Sequence, residues 1–265
     1  MKKLQLLLLA LVFTISASAQ YTILSAVDIK DGMEDQYLQL EEFFGPVHDL
    51  AIERGIQDLQ AVFKVVQTND DGESVADFFI ITSLSSKEQL DAYNASWESD
   101  AWLDLAIEAH KGKMSKRAVT TRYLNSVGSE SESNERRNYH LVGVDQTIWS
   151  GGDLKPGDKM SILGTISKSD DFESYESEVY KPLIEKEILK GNHRWWMLSR
   201  IYERTENAYG DITHMFFNIG VEGADNTEGW QKMQSSFKGQ KLLEGLGAAS
   251  EHQNGSQLEL VSIHN

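Results

Sequence analysis

Apolar positions along the chain fall into two periods, and the switches between them mark a repeated order of elements. Alternation over 21–29 predicts a strand, and helical spacing follows over 33–54, with a break expected near Pro46. Strand-like runs at 58–68 and 75–83 flank Asn69-Asp70-Asp71-Gly72, a strong hairpin signal. Ser86 is placed to cap a helix over 87–113, broken near Ser99-Asp100, and a strand over 118–125 closes the series. The second series predicts strands at 160–167, 194–204, 212–221 and 257–263, with helices at 172–190 and 227–246. Between the two, 128–135 is polar, acidic and aperiodic, the mark of a linker. Residues 139–149 have strand character but no counterpart before the first series, and 150–158 is rich in turn residues.

The two series align residue by residue. The segment ending Pro46-Val47-His48-Asp49-Leu50-Ala51-Ile52-Glu53-Arg54-Gly55 matches Pro182-Leu183-Ile184-Glu185-Lys186-Glu187-Ile188-Leu189-Lys190-Gly191 at one offset. The chain has 3 prolines, so a matched pair of them is informative, and each glycine stands where a helix would be capped. Downstream, Phe78-Phe79 answers Phe216-Phe217, and Leu90, Tyr93 and Trp97 share their spacing with Trp230, Met233 and Phe237. Ordered matches with small slips between them indicate a duplication with loop insertions. The expected organisation is a first repeat at 20–127, linker plus extra strand at 128–157, and a second repeat at 158–265.

The first 19 residues change the setting. Lys2 and Lys3, an apolar run from Leu4 to Ile15, and Ala17-Ser18-Ala19 form a secretory signal with a small-residue cleavage site, so export to a periplasm or beyond the cell is expected. With no cysteine the chain has no disulfide, no thiolate nucleophile and no sulfur-bound zinc. The formal charge of −16 opposes association with nucleic acid or anionic lipid.

The βαββαβ order of each series is that of a ferredoxin-like unit. An α+β chain with two such units, packed as an intramolecular α/β barrel, resembles the dimeric α/β-barrel superfamily, which includes the antibiotic-biosynthesis monooxygenases and stress-responsive barrel proteins. The resemblance rests on element order and duplication. It implies a fold and carries no catalytic residue with it.

Alternation on the hairpin strands then nominates a site. Leu59, Ala61, Phe63 and Val65 form the more apolar face of the first hairpin and are expected under helices, as are Trp195, Met197 and Ile201 in the second. That phase turns Trp196, Arg200, Tyr202, His214 and Asn218 toward the opposite sheet, an aromatic wall with a few polar groups suited to a small ligand. Gln60, Lys64, Ala76 and Phe78 take the corresponding places in the first series. None of the 7 histidines falls in a recognisable metal-ligand spacing, so no metal site is expected; haem ligation by His214 is the one cofactor this pattern leaves open. No nucleophile elbow, phosphate loop or nucleotide fingerprint occurs.

Three functional readings follow. The first is a protein that binds a small apolar or aromatic ligand between the sheets. The second is a cofactor-independent oxygenase or isomerase with His214 as base and Arg200 as anion holder. The third is a structural or interaction protein of the cell envelope.

Overall fold

The computed structural model describes residues 20–68, 76–127, 132–224 and 227–265. The expected signal segment, the Asn69-Asp70-Asp71-Gly72 turn and residues 128–131 of the acidic stretch lie outside them. In chain order the elements are β1 (Tyr21–Ile29), α1 (Glu34–Glu53), β2 (Leu59–Thr68), β3 (Phe78–Leu84), α2 (Lys87–Trp97), α3 (Ala101–Ala109), α4 (Lys116–Val127), β4 (Ser133–Gln146), β5 (Lys159–Ser167), α5 (Phe172–Tyr175), a π turn (Glu176–Tyr180), α6 (Lys181–Lys190), β6 (His193–Arg204), β7 (His214–Gly220), α7 (Thr227–Gln234), α8 (Phe237–Ala249) and β8 (Ser250–His264).

The strands close into one antiparallel barrel in the order β1-β3-β2-β8-β5-β7-β6-β4. Closure removes the sheet edges that an open sheet would expose. Within the ring, β4-β1-β3-β2 is followed by β8-β5-β7-β6, so the neighbour order of the first four strands recurs in the last four.

The barrel interior is filled from all eight strands. Leu24, Ala61, Phe63, Phe79, Leu141, Ile162, Met197, Phe217 and Leu258 meet there, and among the described residues no helix residue joins them. An eight-stranded barrel is just wide enough for such side chains to fill it. The outer face carries the helices. Val47, Ala51, Trp102, Leu105 and Ala106 belong to the layer over the first strands, and Phe172, Ile184, Trp196, Leu198, Phe216 and Ala249 to the layer over the later ones. Ser86 caps α2 as expected, its hydroxyl accepting from the Gln89 N–H at 3.1 Å. Gly55 and Gly191 both adopt left-handed backbone (φ 67° and 80°), which lets the chain leave α1 and α6 toward the next strand without steric cost.

Three expectations about the elements are corrected. Residues 118–125 lie in a helix, α4, because Val119 and Tyr123 face the core at a spacing of four. The Ser115 hydroxyl caps its start, accepting from the Ala118 N–H at 3.2 Å. The segment expected as an extra strand belongs to β4, which pairs with β1 over Ser133–Val142 and with β6 on its other side. It carries Tyr139 and Leu141 into the barrel and completes the ring. Pro46, expected to break its helix, lies inside a continuous α1; Pro182 stands at the first turn of α6, directly after the π turn, where its missing N–H is least costly.

Candidate functional site

The largest correction concerns which way the strands face. Leu59, Ala61, Phe63 and Val65, with Trp195, Met197 and Ile201, do share faces as expected, but that face is the barrel interior. The opposite face of β6 and β7, carrying Trp196 and Phe216, lies under the helices. Both faces are apolar here, and the one carrying Trp195, Met197 and Ile201 packs into the closed barrel. Trp196, Arg200, Tyr202, His214 and Asn218 therefore do not line a space between sheets.

On the outer face these five residues separate. Arg200 donates two hydrogen bonds to the Glu173 carboxylate at 2.6 Å each, and His214 Nε2 meets the same carboxylate at 3.0 Å. Arg200, and after it His214, hold Glu173 below the usual carboxylate range. Burial lowers the His214 imidazole despite that neighbour. The Thr213 hydroxyl lies 2.9 Å from His214 Nδ1, so both ring nitrogens are engaged and neither is left to ligate a haem iron. This triad ties the start of α5 to β6 and β7. Tyr202 is half-exposed and packs edge-on to Tyr21 near His140.

Trp196 and Asn218 do reach a cavity, of about 200 Å³, between the strands β5–β8 and the helices that cover them. Its walls are Leu163, Tyr180, Trp196, Phe216, Trp230 and Leu246, with Asn218 and His252 at the polar side. Tyr180 stands 5.8 Å from Trp196 and 5.5 Å from Trp230, ring centroid to ring centroid, and Trp196 lies 6.1 Å from Phe216. An outer hollow of about 670 Å³ shares Tyr180, Asn218 and Trp230 with it and is lined farther out by the ion pairs Arg194–Asp158 and Lys159–Glu222.

The side chain that gives this cavity its chemistry is Glu176, which strand alternation could not nominate. It is 2% exposed, lines the cavity, and has no hydrogen-bond or ion-pair partner among the described residues. Burial alone pushes its carboxyl up to about 8. The Tyr180 hydroxyl, buried beside it, is pushed up to about 12, and burial lowers the His252 imidazole, whose Nδ1 lies 2.9 Å from the Thr165 hydroxyl. The buried indole N–H of Trp196 also has no acceptor. Unpaired polar atoms against aromatic walls are costly unless something else satisfies them. Glu176 projects from the π turn, a distortion that is frequent at functional sites.

A second cavity, of about 240 Å³, opens at the barrel mouth near Arg137, Tyr139 and Tyr209. At its wall Arg137 pairs with Asp28 at 2.6 Å, and the Tyr139 hydroxyl accepts from the Tyr209 N–H at 3.2 Å. Among the described residues no group of three or more potential metal ligands occurs.

No family model and no curated protein matches the chain. Solved structures do share its fold. A candidate monooxygenase from Lactobacillus acidophilus superposes with a TM-score of 0.50 at 12% identity, over 93% of this chain and 96% of that one. One from Fusobacterium nucleatum gives 0.51 at 10%, over 94% and 95%. An anthrone oxidase-like protein gives 0.51 at 8%, over 94% of each chain. At such identities the likeness is one of fold: this chain is an α+β protein with a closed, ferredoxin-like antiparallel barrel of the kind seen in those proteins.

Proposed function

We propose that the chain is an exported small-molecule-binding protein built from two fused ferredoxin-like units, and that the helix–sheet cavity around Glu176 and Trp196 takes a small, planar, mostly apolar ligand. The recurrence of one strand order in the two halves supports the fusion. On this reading the first unit runs through β4 and the second begins at β5. The observation that carries the ligand is the pairing of aromatic walls with a buried carboxyl, that of Glu176, and a buried N–H without an acceptor among the described residues, that of Trp196. Such a cavity offers area for burial and a few groups for orientation. Its volume suits one or two rings, since a cavity of about 150 Å³ accepts benzene.

The test is a panel of one- and two-ring aromatics read by thermal shift and by tryptophan fluorescence. A specific ligand raises the unfolding midpoint in proportion to its concentration over Kd. Leu246→Trp fills the cavity from α8 without removing any group that orients the ligand. It is expected to weaken binding at least tenfold while the unliganded midpoint is kept or raised. Binding that survives Leu246→Trp unchanged places the ligand elsewhere.

A second reading, proton transfer in an oxygenase or isomerase, is favoured by one feature: a carboxyl poised near neutral pH inside an apolar site is suited to general acid–base work. Glu176, rather than His214, would then accept the proton. A bound ligand with an acidic C–H should exchange it for solvent deuterium, and Glu176→Gln should slow that exchange about a hundredfold with binding retained. Equal exchange in the variant removes this reading.

A further inference from the structure

The proposed ligand site has a feature that a neutral aromatic does not use. Glu176 lines one cavity with the rings of Tyr180, Trp196, Trp230 and Phe216, which stand 5.5 to 6.1 Å from one another in successive pairs, and among the described residues that line it there is no lysine or arginine. Lys181, adjacent in sequence to Tyr180, is turned away to Asp145 at 2.6 Å. The electron-rich faces of tryptophan and tyrosine attract cations, and a carboxylate without a counter-charge in their midst completes an aromatic cage. The whole chain carries a formal charge of −16, a field that gathers cations and repels anions before any contact is made.

Resting on the ligand reading above, we propose that the cavity is a cation site: its ligand class is a small organic ammonium, an amine or quaternary amine on an aromatic or compact apolar body, with the charged nitrogen against Glu176 and the rings of Tyr180, Trp196 and Trp230. The outer hollow shared through Tyr180 and Trp230 leaves room for a substituent beyond the cage. The buried carboxyl and the cationic ligand then solve each other's problem, since each supplies the counter-charge that the other lacks out of water.

Binding must be linked to a proton. Without ligand, Glu176 holds its proton up to about pH 8. A permanent cation needs it ionised, so the carboxyl proton leaves to buffer as the complex forms. Of the other titratable groups facing it, Tyr180 loses its proton only near pH 12, and burial lowers the His252 imidazole from its ordinary value, away from this range. The walls from β5, β6, β7, α7 and α8 present Leu163, Trp196, Phe216, Asn218, Trp230 and Leu246, none of which titrates.

The experiment compares phenyltrimethylammonium with tert-butylbenzene, two molecules of nearly one shape that differ by a charge, using titration calorimetry on the signal-free chain. The cation is expected to bind at least tenfold more tightly than its neutral counterpart at pH 8.5. Its affinity should fall about tenfold per pH unit below pH 8, with close to one proton released at pH 7 across buffers of different ionisation heat. Glu176→Gln should abolish both the preference and the proton release. Trp196→Phe, which keeps the packing and a weaker ring, should lower cation affinity severalfold with the proton release intact. Tighter binding of tert-butylbenzene at every pH overturns the cation site while leaving the ligand cavity standing. Failure of both probes and of the whole aromatic panel overturns the cavity as well.

Discussion

Glu176→Gln is expected to make the unliganded protein more stable at pH 8.5, by on the order of 5 kcal/mol before any loss from burying an unpaired amide, and to change it little at pH 4. The sign follows from the carboxyl's two environments. Its ordinary value is 4.5, and burial in the cavity wall raises it to about 8. Below pH 4.5 the group is protonated in both states, and its burial carries no charge penalty. Between 4.5 and 8 the unfolded chain ionises while the folded protein does not, so stability falls by about 1.4 kcal/mol per pH unit. Above 8 the folded protein holds a buried carboxylate with no partner, and the whole loss is present. Glutamine keeps the shape and removes the titration. Urea unfolding of both proteins from pH 4 to 9 measures the difference directly. Curves that run parallel across that range would mean that the carboxyl reaches water, and the cation site would lose its foundation with it.

Much of the architecture was legible in the residues because it depends on period and punctuation. The strands, the Ser86 cap and the glycine-ended helices at Gly55 and Gly191 follow from local patterns that the tertiary structure leaves alone. What period cannot tell is which face of a strand turns inward. Trp195 and Met197 alternate with Trp196 and Leu198, and both pairs are apolar enough to be buried, one in the barrel and the other under helices. Reading the first pair as the helix-facing one moved the whole candidate site to the wrong side of the sheet. The fourth strand was hidden by its start, Ser133-Asn134-Glu135-Arg136, whose charges resemble a linker, while the Thr120-Thr121 pair gave α4 the look of a strand. Glu176 did leave a signal. Phe172, Glu176, Tyr180, Ile184 and Ile188 recur every four residues on one helical stripe, and Phe172, Glu176 and Ile184 are buried. An acid on an apolar stripe is the kind of local inconsistency that marks functional positions.

The acid limb of the stability curve should belong largely to His48, in the helix layer of the other half. Burial drives its imidazole down to about 3, with His264 adding to the effect. Its Nδ1 accepts from the Gln57 amide at 3.2 Å, an arrangement that requires the neutral ring, and Trp102 lies 5.7 Å away. As pH falls from 6.5 to 3 the unfolded chain takes up a proton that the folded protein refuses, and stability is lost at about 1.4 kcal/mol per unit, on the order of 5 kcal/mol in all. His48→Gln leaves a side-chain carbonyl to accept from Gln57 and removes this loss. Between pH 4.5 and 6.5 the slopes of His48 and Glu176 oppose each other and nearly cancel, so together these two leave the stability curve almost unchanged there. The single variants should tilt it in opposite directions. Relative to the unsubstituted protein, Glu176→Gln gains stability as pH rises from 4.5 to 8 and His48→Gln rises less steeply from 3 to 6.5, while His193, His214 and His252, which burial also lowers, act alike in all of them. Because the two groups sit in separate helix layers and share no partner, their effects should add. A double variant that keeps a steep alkaline fall would show that some other buried acid governs it. The nearest candidates are Glu41 and Asp28, which burial also raises.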